Sequence, residues 1–79
     1  MMKEQQTPEM LVYLAGKNLD AAKEHLAVLD YPSARWNATT AKNTANKALE
    51  MKPTPQVAAE ANQIIQQAES LLDKCEPTT

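Results

Sequence analysis

The sequence predicts an all-α domain, a small antiparallel three-helix bundle, and three observations carry that expectation. Proline recurs beside capping side chains where helices can begin, apolar residues recur at alternating steps of four and three, and the segments between periodic stretches are short. Short connections force neighbouring helices to run antiparallel, so up-down-up is the simplest arrangement. A long helical hairpin that dimerises into a four-helix bundle is the competing architecture.

The first helix is expected over residues 8–29. Thr7-Pro8-Glu9 provides a capping hydroxyl, a proline whose missing N–H has no helical partner to lose, and an acidic first turn. Leu11, Ala15, Leu19, Ala22, Leu26 and Leu29 then form one stripe, and Gly16 lies inside the span, where a glycine costs about 1 kcal/mol relative to Ala. It predicts a close backbone approach or a slight bend. Asp30-Tyr31-Pro32-Ser33 reads as a tight turn in which Asp30 and Ser33 can both cap and Pro32 breaks the preceding pattern.

The second helix is expected over residues 33–51, with a seam made wholly of alanine: Ala34, Ala38, Ala41, Ala45 and Ala48. Alanine lets helix axes approach within or below the usual range of about 8–10 Å. Trp36, Thr40, Thr44 and Met51 line an adjacent strip. Pro53 ends this helix, and Thr54-Pro55-Gln56 repeats the starting device for a third over residues 55–75. There Val57, Ala61, Ile64, Ala68, Leu71 and Cys75 make the stripe, broadened by Ile65 and Leu72. Residues 1–6 are expected to be a disordered N-terminal segment and 76–79 a polar tail, with 7–75 as the single domain.

Two local patterns resemble helical-hairpin repeats of the tetratricopeptide type. Gly16-Lys17-Asn18-Leu19-Asp20-Ala21-Ala22 is similar to the start of that repeat's second helix, while Ala41, Ala45, Ala48-Leu49 and Pro53 match positions at its end. The Trp, Gly and Tyr positions of the repeat's first helix have no counterparts at the right spacing. In helix count and length the chain is also similar to small three-helix trafficking modules.

Composition bounds the size of the core. The chain has 79 residues, with no Phe, one Gly, one Cys and thirteen Ala, and only 4% of it is aromatic. Much of the 43% hydrophobic content is therefore alanine, which buries little area per residue. Setting about 25 cal/mol per Å² of buried apolar surface against about 1.5 kcal/mol of ordering entropy per residue leaves such a chain near balance. A lone cysteine excludes an intramolecular disulfide, so self-association is the expected supplement, and a homo-oligomer the expected state.

A net charge of -2 and a pI near 5.2 argue against a nucleic-acid partner, for which a basic footprint is expected. Met1 to Gln6 is polar, and the longest strongly apolar stretch, Met10 to Ala15, is too short to span a bilayer. The reading is a soluble cytoplasmic protein with no membrane partner, and the single thiol suits a reducing compartment.

Catalytic and metal chemistry find few candidates. A nucleophilic pair would have to be Cys75 with His25, without a third group to orient the base; a buried thiol and a surface imidazole are the simpler assignment. Structural zinc needs about four convergent Cys or His ligands, and there are two in total. Gly-rich phosphate loops are excluded by the single glycine. Asn37-Ala38-Thr39 spells a glycosylation sequon, read as coincidence without a leader. No catalytic residue, metal or cofactor is expected.

Charge is unevenly distributed. Residues 7–31 carry Lys17 and Lys23 against Glu9, Asp20, Glu24 and Asp30; residues 32–52 carry Arg35, Lys42, Lys47 and Lys52 against Glu50; residues 53–79 carry Lys74 against Glu60, Glu69, Asp73 and Glu76. A basic helix thus lies between two acidic ones, which predicts complementary rims inside the bundle. A sharper reading starts at Ser33-Ala34-Arg35-Trp36. Free N–H groups at a helix start attract anions, the only Arg can clasp a phosphate or carboxylate, and the only Trp can stack on a planar ring. With Tyr31 beside it and Thr39, Thr40 and Asn43 along the following turns, this corner is a candidate site for a small anionic, nucleotide-like ligand.

The functional expectation is a non-catalytic helical module that self-associates and acts as an adaptor or inhibitor by binding a second protein. Apolar residues off the main stripes, Val12, Tyr13, Val28, Ile65 and Leu72, are the candidate interface. The alternative is a small-molecule sequestering protein of the phage or plasmid accessory type that uses the Arg35 and Trp36 corner, an analogy of size and style.

Overall fold

A computed structural model describes residues 6–75 of the chain, so the expectations for 1–5 and 76–79 lie outside the described residues. Three helices, α1 (Pro8–Ala27), α2 (Tyr31–Glu50) and α3 (Pro55–Cys75), pack against one another as an antiparallel three-helix bundle. α2 is the central element and packs extensively on both neighbours. α1 and α3 meet along a narrower contact.

Each helix start follows from its cap. Thr7 is extended, and its hydroxyl accepts a hydrogen bond from the Met10 N–H at 3.1 Å while Pro8 opens α1. Thr54 does the same for α3, accepting from the Val57 N–H at 3.3 Å. At α2 the cap is Asp30, whose Oδ1 accepts from the Ser33 N–H at 3.3 Å. The helix therefore begins at Tyr31, two residues before the expected start, and Pro32 sits in its first turn. The proline read as a break is part of a helix start, because Asp30 rather than Ser33 supplies the cap.

Between α1 and α2 the chain reverses through a Schellman closure. The Leu29 N–H donates to the Leu26 carbonyl at 2.9 Å, and the Asp30 N–H donates to the His25 carbonyl at 2.8 Å. Leu29 takes a left-handed φ of 63°, which is why α1 stops at Ala27 instead of running to Leu29. α2 ends similarly: the Lys52 N–H donates to Leu49 at 3.1 Å, with Lys52 at φ 56°. Pro53 follows and has no N–H for the second bond of the motif.

The core divides into two clusters along the bundle. Leu11, Val12, Ala15, Ala45, Ala48, Val57 and Ala61 form one, and Leu19, Ala22, Ala38, Ala41, Ala68 and Leu71 the other. Ile64 packs against both. Among the described residues, the positions with no exposure at all are all alanine, including the whole α2 seam, while the buried Leu and Val side chains retain a few per cent. The core is thus sealed by small residues packed in the same clusters as larger, slightly exposed side chains. Cys75 is buried, consistent with its place on the α3 stripe.

Gly16 departs from expectation. A β-carbon placed there meets nothing within 4 Å, so no described residue outside its own helix turns approaches it closely, and its φ is not left-handed. Among the described residues, the two positions that do adopt the left-handed conformation carry Leu29 and Lys52. Lys52→Gly is accordingly expected to stabilise the fold by about 0.5–1 kcal/mol, the relief of left-handed strain exceeding the added entropy of the unfolded chain. Thermal denaturation should show Tm raised by about 2–8 °C. An unchanged or lower Tm contradicts the strain at this position.

Candidate functional site

The expected anion corner lies where α1 hands over to α2, and Asp30 dominates it. One carboxylate oxygen caps α2 through Ser33, and the other, Oδ2, lies 3.5 Å from Nδ1 of His25. The backbone N–H of Asp30 closes α1 and its carbonyl accepts the first helical bond of α2, from the Ala34 N–H at 3.0 Å. A single residue therefore joins both helix ends. Its negative charge also occupies the position at the α2 N-terminus that an external anion would take.

Arg35 is engaged elsewhere. Its Nη2 donates to the Cys75 carbonyl at 2.9 Å, satisfying one of the free carbonyls at the α3 C-terminus and placing positive charge at the negative end of that helix. This contact ties α2 to α3 across forty residues of sequence. Trp36, about 100° further round the helix, points away from the core and is 72% exposed, so it is not a core plug. Thr40 shares that outer face, its hydroxyl donating to the Trp36 carbonyl at 2.9 Å. Thr39 and Asn43 are exposed on the same side, and Tyr31 is exposed at the helix start. The corner is not assembled as expected: Ser33 and Arg35 make contacts within the chain, and Thr39, Thr40 and Asn43 run along the outer face of α2 without converging on them.

The candidate interface residues separate into three groups. Val12 is buried in the first core cluster, a correction that follows from its place among Ala45 and Ala48 of α2 and Val57 and Ala61 of α3. Ile65 and Leu72 are half-buried, packed against the first and second clusters respectively. Only Tyr13 and Val28 are largely exposed, and the Tyr13 ring lies under Lys17 Nζ at 5.4 Å.

Sequence reasoning missed Leu29, which was placed on the α1 stripe and is 67% exposed once the left-handed turn lifts it off. The signal was present in Asp30 and Ser33, a capping pair that moves the helix start forward. A shallow groove of about 440 Å³ also opens between α1 and α3, lined by Val12, Gly16, Leu19, Asp20, Lys23 and Gln67 among others. Of the expected rim complementarity, Lys42 Nζ to Glu69 Oε2 at 3.2 Å links α2 to α3. Asn37, the sequon asparagine, donates from its amide to the Ser33 carbonyl at 2.9 Å.

Among the described residues no group of three or more His, Cys, Asp or Glu side chains could hold a metal ion, and no helix is long and apolar enough to cross a membrane. Comparison with protein-family models, with curated proteins and with solved structures yields no match.

Asp30→Ala removes the α2 cap and the His25 pair together and should lower stability by about 1–2 kcal/mol in urea unfolding. Asp30→Asn retains a capping oxygen and should stay within about 0.5 kcal/mol of wild type, because an exposed ion pair contributes little. Equal stability of the alanine variant and wild type contradicts the role given to this residue.

Proposed function

We propose that the chain is a non-catalytic helical interaction module that self-associates and acts as an adaptor or inhibitor by binding a second protein. The observation that carries this reading is the end of the bundle around the α1–α2 turn, where Val28, Leu29, Tyr31 and Trp36 are all exposed within nine residues of sequence. Exposed large apolar side chains concentrated in one region are the usual mark of a protein-contacting surface. Trp and Tyr are the side chains that most often anchor such contacts.

The turn that presents them is held rather than loose. The Schellman closure fixes Leu29 in a left-handed conformation, the Asp30 cap fixes the first turn of α2, and Arg35 in the second turn ties α2 to the end of α3. A surface preorganised in this way spends less ordering entropy on binding. The small core supports the same reading, since a chain whose sealed positions are all alanine gains burial by covering its remaining apolar side chains with another protein.

The test is an affinity pull-down from the native host with wild type and a Leu29→Asp, Trp36→Ala variant, after circular dichroism shows that both are helical. A specific protein should be retained by wild type and reduced about tenfold or more by the variant, the effect of losing one interface anchor. A retained set that is the same for both proteins overturns the reading.

A further inference from the structure

We infer that a second copy of this chain docks antiparallel onto the face shared by α1 and α3, about a two-fold axis near Gly16. This rests on the self-association proposed above and names its surface. The starting point is that the chain's only glycine sits in mid-helix at a cost of about 1 kcal/mol, with no turn, left-handed φ or close intramolecular contact to require it. Its missing side chain instead leaves open the groove between α1 and α3. A glycine at that place allows an outside backbone or side chain to come close.

The charges flanking the groove identify the occupant. Glu9, Gly16 and Lys23 are seven residues apart on α1 and therefore share a face, with the two charges about 10.5 Å to either side of the glycine. α3 repeats the pattern in Glu60, Gln67 and Lys74, and its Gln67 lines the same groove. Because α1 and α3 both run antiparallel to α2, they are parallel to each other. Glu9 and Glu60 therefore mark one end of the face, and Lys23 and Lys74 the other, where Asp20 also lines the groove one turn before Lys23. Among the described residues, the close contacts between oppositely charged or chargeable side chains are His25 with Asp30 and Lys42 with Glu69, so these four charges have no partner there.

Such a face is complementary to itself when turned end over end. In an isologous contact centred on Gly16, the acidic end of each copy meets the basic end of the other, and the pairing is made twice by symmetry. A parallel contact would set like charges against like. Tyr13 and Lys17, stacked at 5.4 Å on the rim, flank the same contact.

Sedimentation velocity of the full chain over a concentration series at low salt tests this arrangement. Wild type should dimerise reversibly. An acidic variant carrying Lys23→Glu and Lys74→Glu, and a basic variant carrying Glu9→Lys and Glu60→Lys, should each dimerise about tenfold or more weakly alone and recover association when mixed. Gly16→Leu, which fills the groove with a good helix former and so leaves the fold intact, should weaken the dimer similarly. If wild type dimerises and none of these variants differs from it, the face is overturned while self-association stands. If wild type is a monomer at every concentration, both fail.

Discussion

The five alanines of α2 set the distance at which α1 and α3 can approach it, and nearly every other feature of the bundle is arranged around that distance. Ala34, Ala38, Ala41, Ala45 and Ala48 have no exposed surface; Ala45 and Ala48 share a cluster with Ala15 and Ala61, and Ala38 and Ala41 with Ala22 and Ala68, which have none either. Contacts between such short side chains seal by proximity. The bulk comes from α1 and α3, whose Leu11, Val12, Leu19, Val57 and Leu71 share the two core clusters with the small residues of α2. A close approach sealed by alanine gains dispersion contacts at small buried area, which makes the ends of the helices unusually important.

Those ends are where the chain concentrates its polar interactions. Asp30 caps α2, completes the closure of α1 and pairs with His25, while Arg35 reaches from the second turn of α2 to the last carbonyl of α3. Together they fix one end of the bundle. At the opposite end Thr7 and Thr54 cap the starts of α1 and α3, and Lys52 turns the chain before Pro53. The placement of glycine is inverted relative to its usual use: the two left-handed turns lack it, and the single residue available stands in the middle of α1, at an open groove. Local stability is given up at that point, and the groove is what the molecule has in return.

Much of the fold was legible because helix signals are local. The Thr-Pro starts, the alternating steps of four and three, and the alanine seam depend on neighbours within two turns, and the bundle follows from them. The α1–α2 turn was read less well, since Asp30 and Ser33 can each cap and only the backbone geometry decides between them. The anion corner was misread for a related reason. Arg35 and Ser33 lie within three residues of Trp36 in sequence, but the partner of Arg35 is forty residues away and the partner of Ser33 is the capping carboxylate. Val12 was assigned to the surface because a one-dimensional stripe cannot show how wide a face a neighbouring helix covers.

The central claim is that the α2 seam must stay small for the three helices to meet. Urea unfolding of Ala41→Leu tests it most directly, because Ala41 lies in the middle of the seam with no exposed surface. Three added carbon atoms would have to be accommodated by separating the axes or forcing strained rotamers, and the account expects a loss of about 1–3 kcal/mol or failure to fold. A variant as stable as wild type, or more so, would show that the seam has room for leucine and would contradict the account.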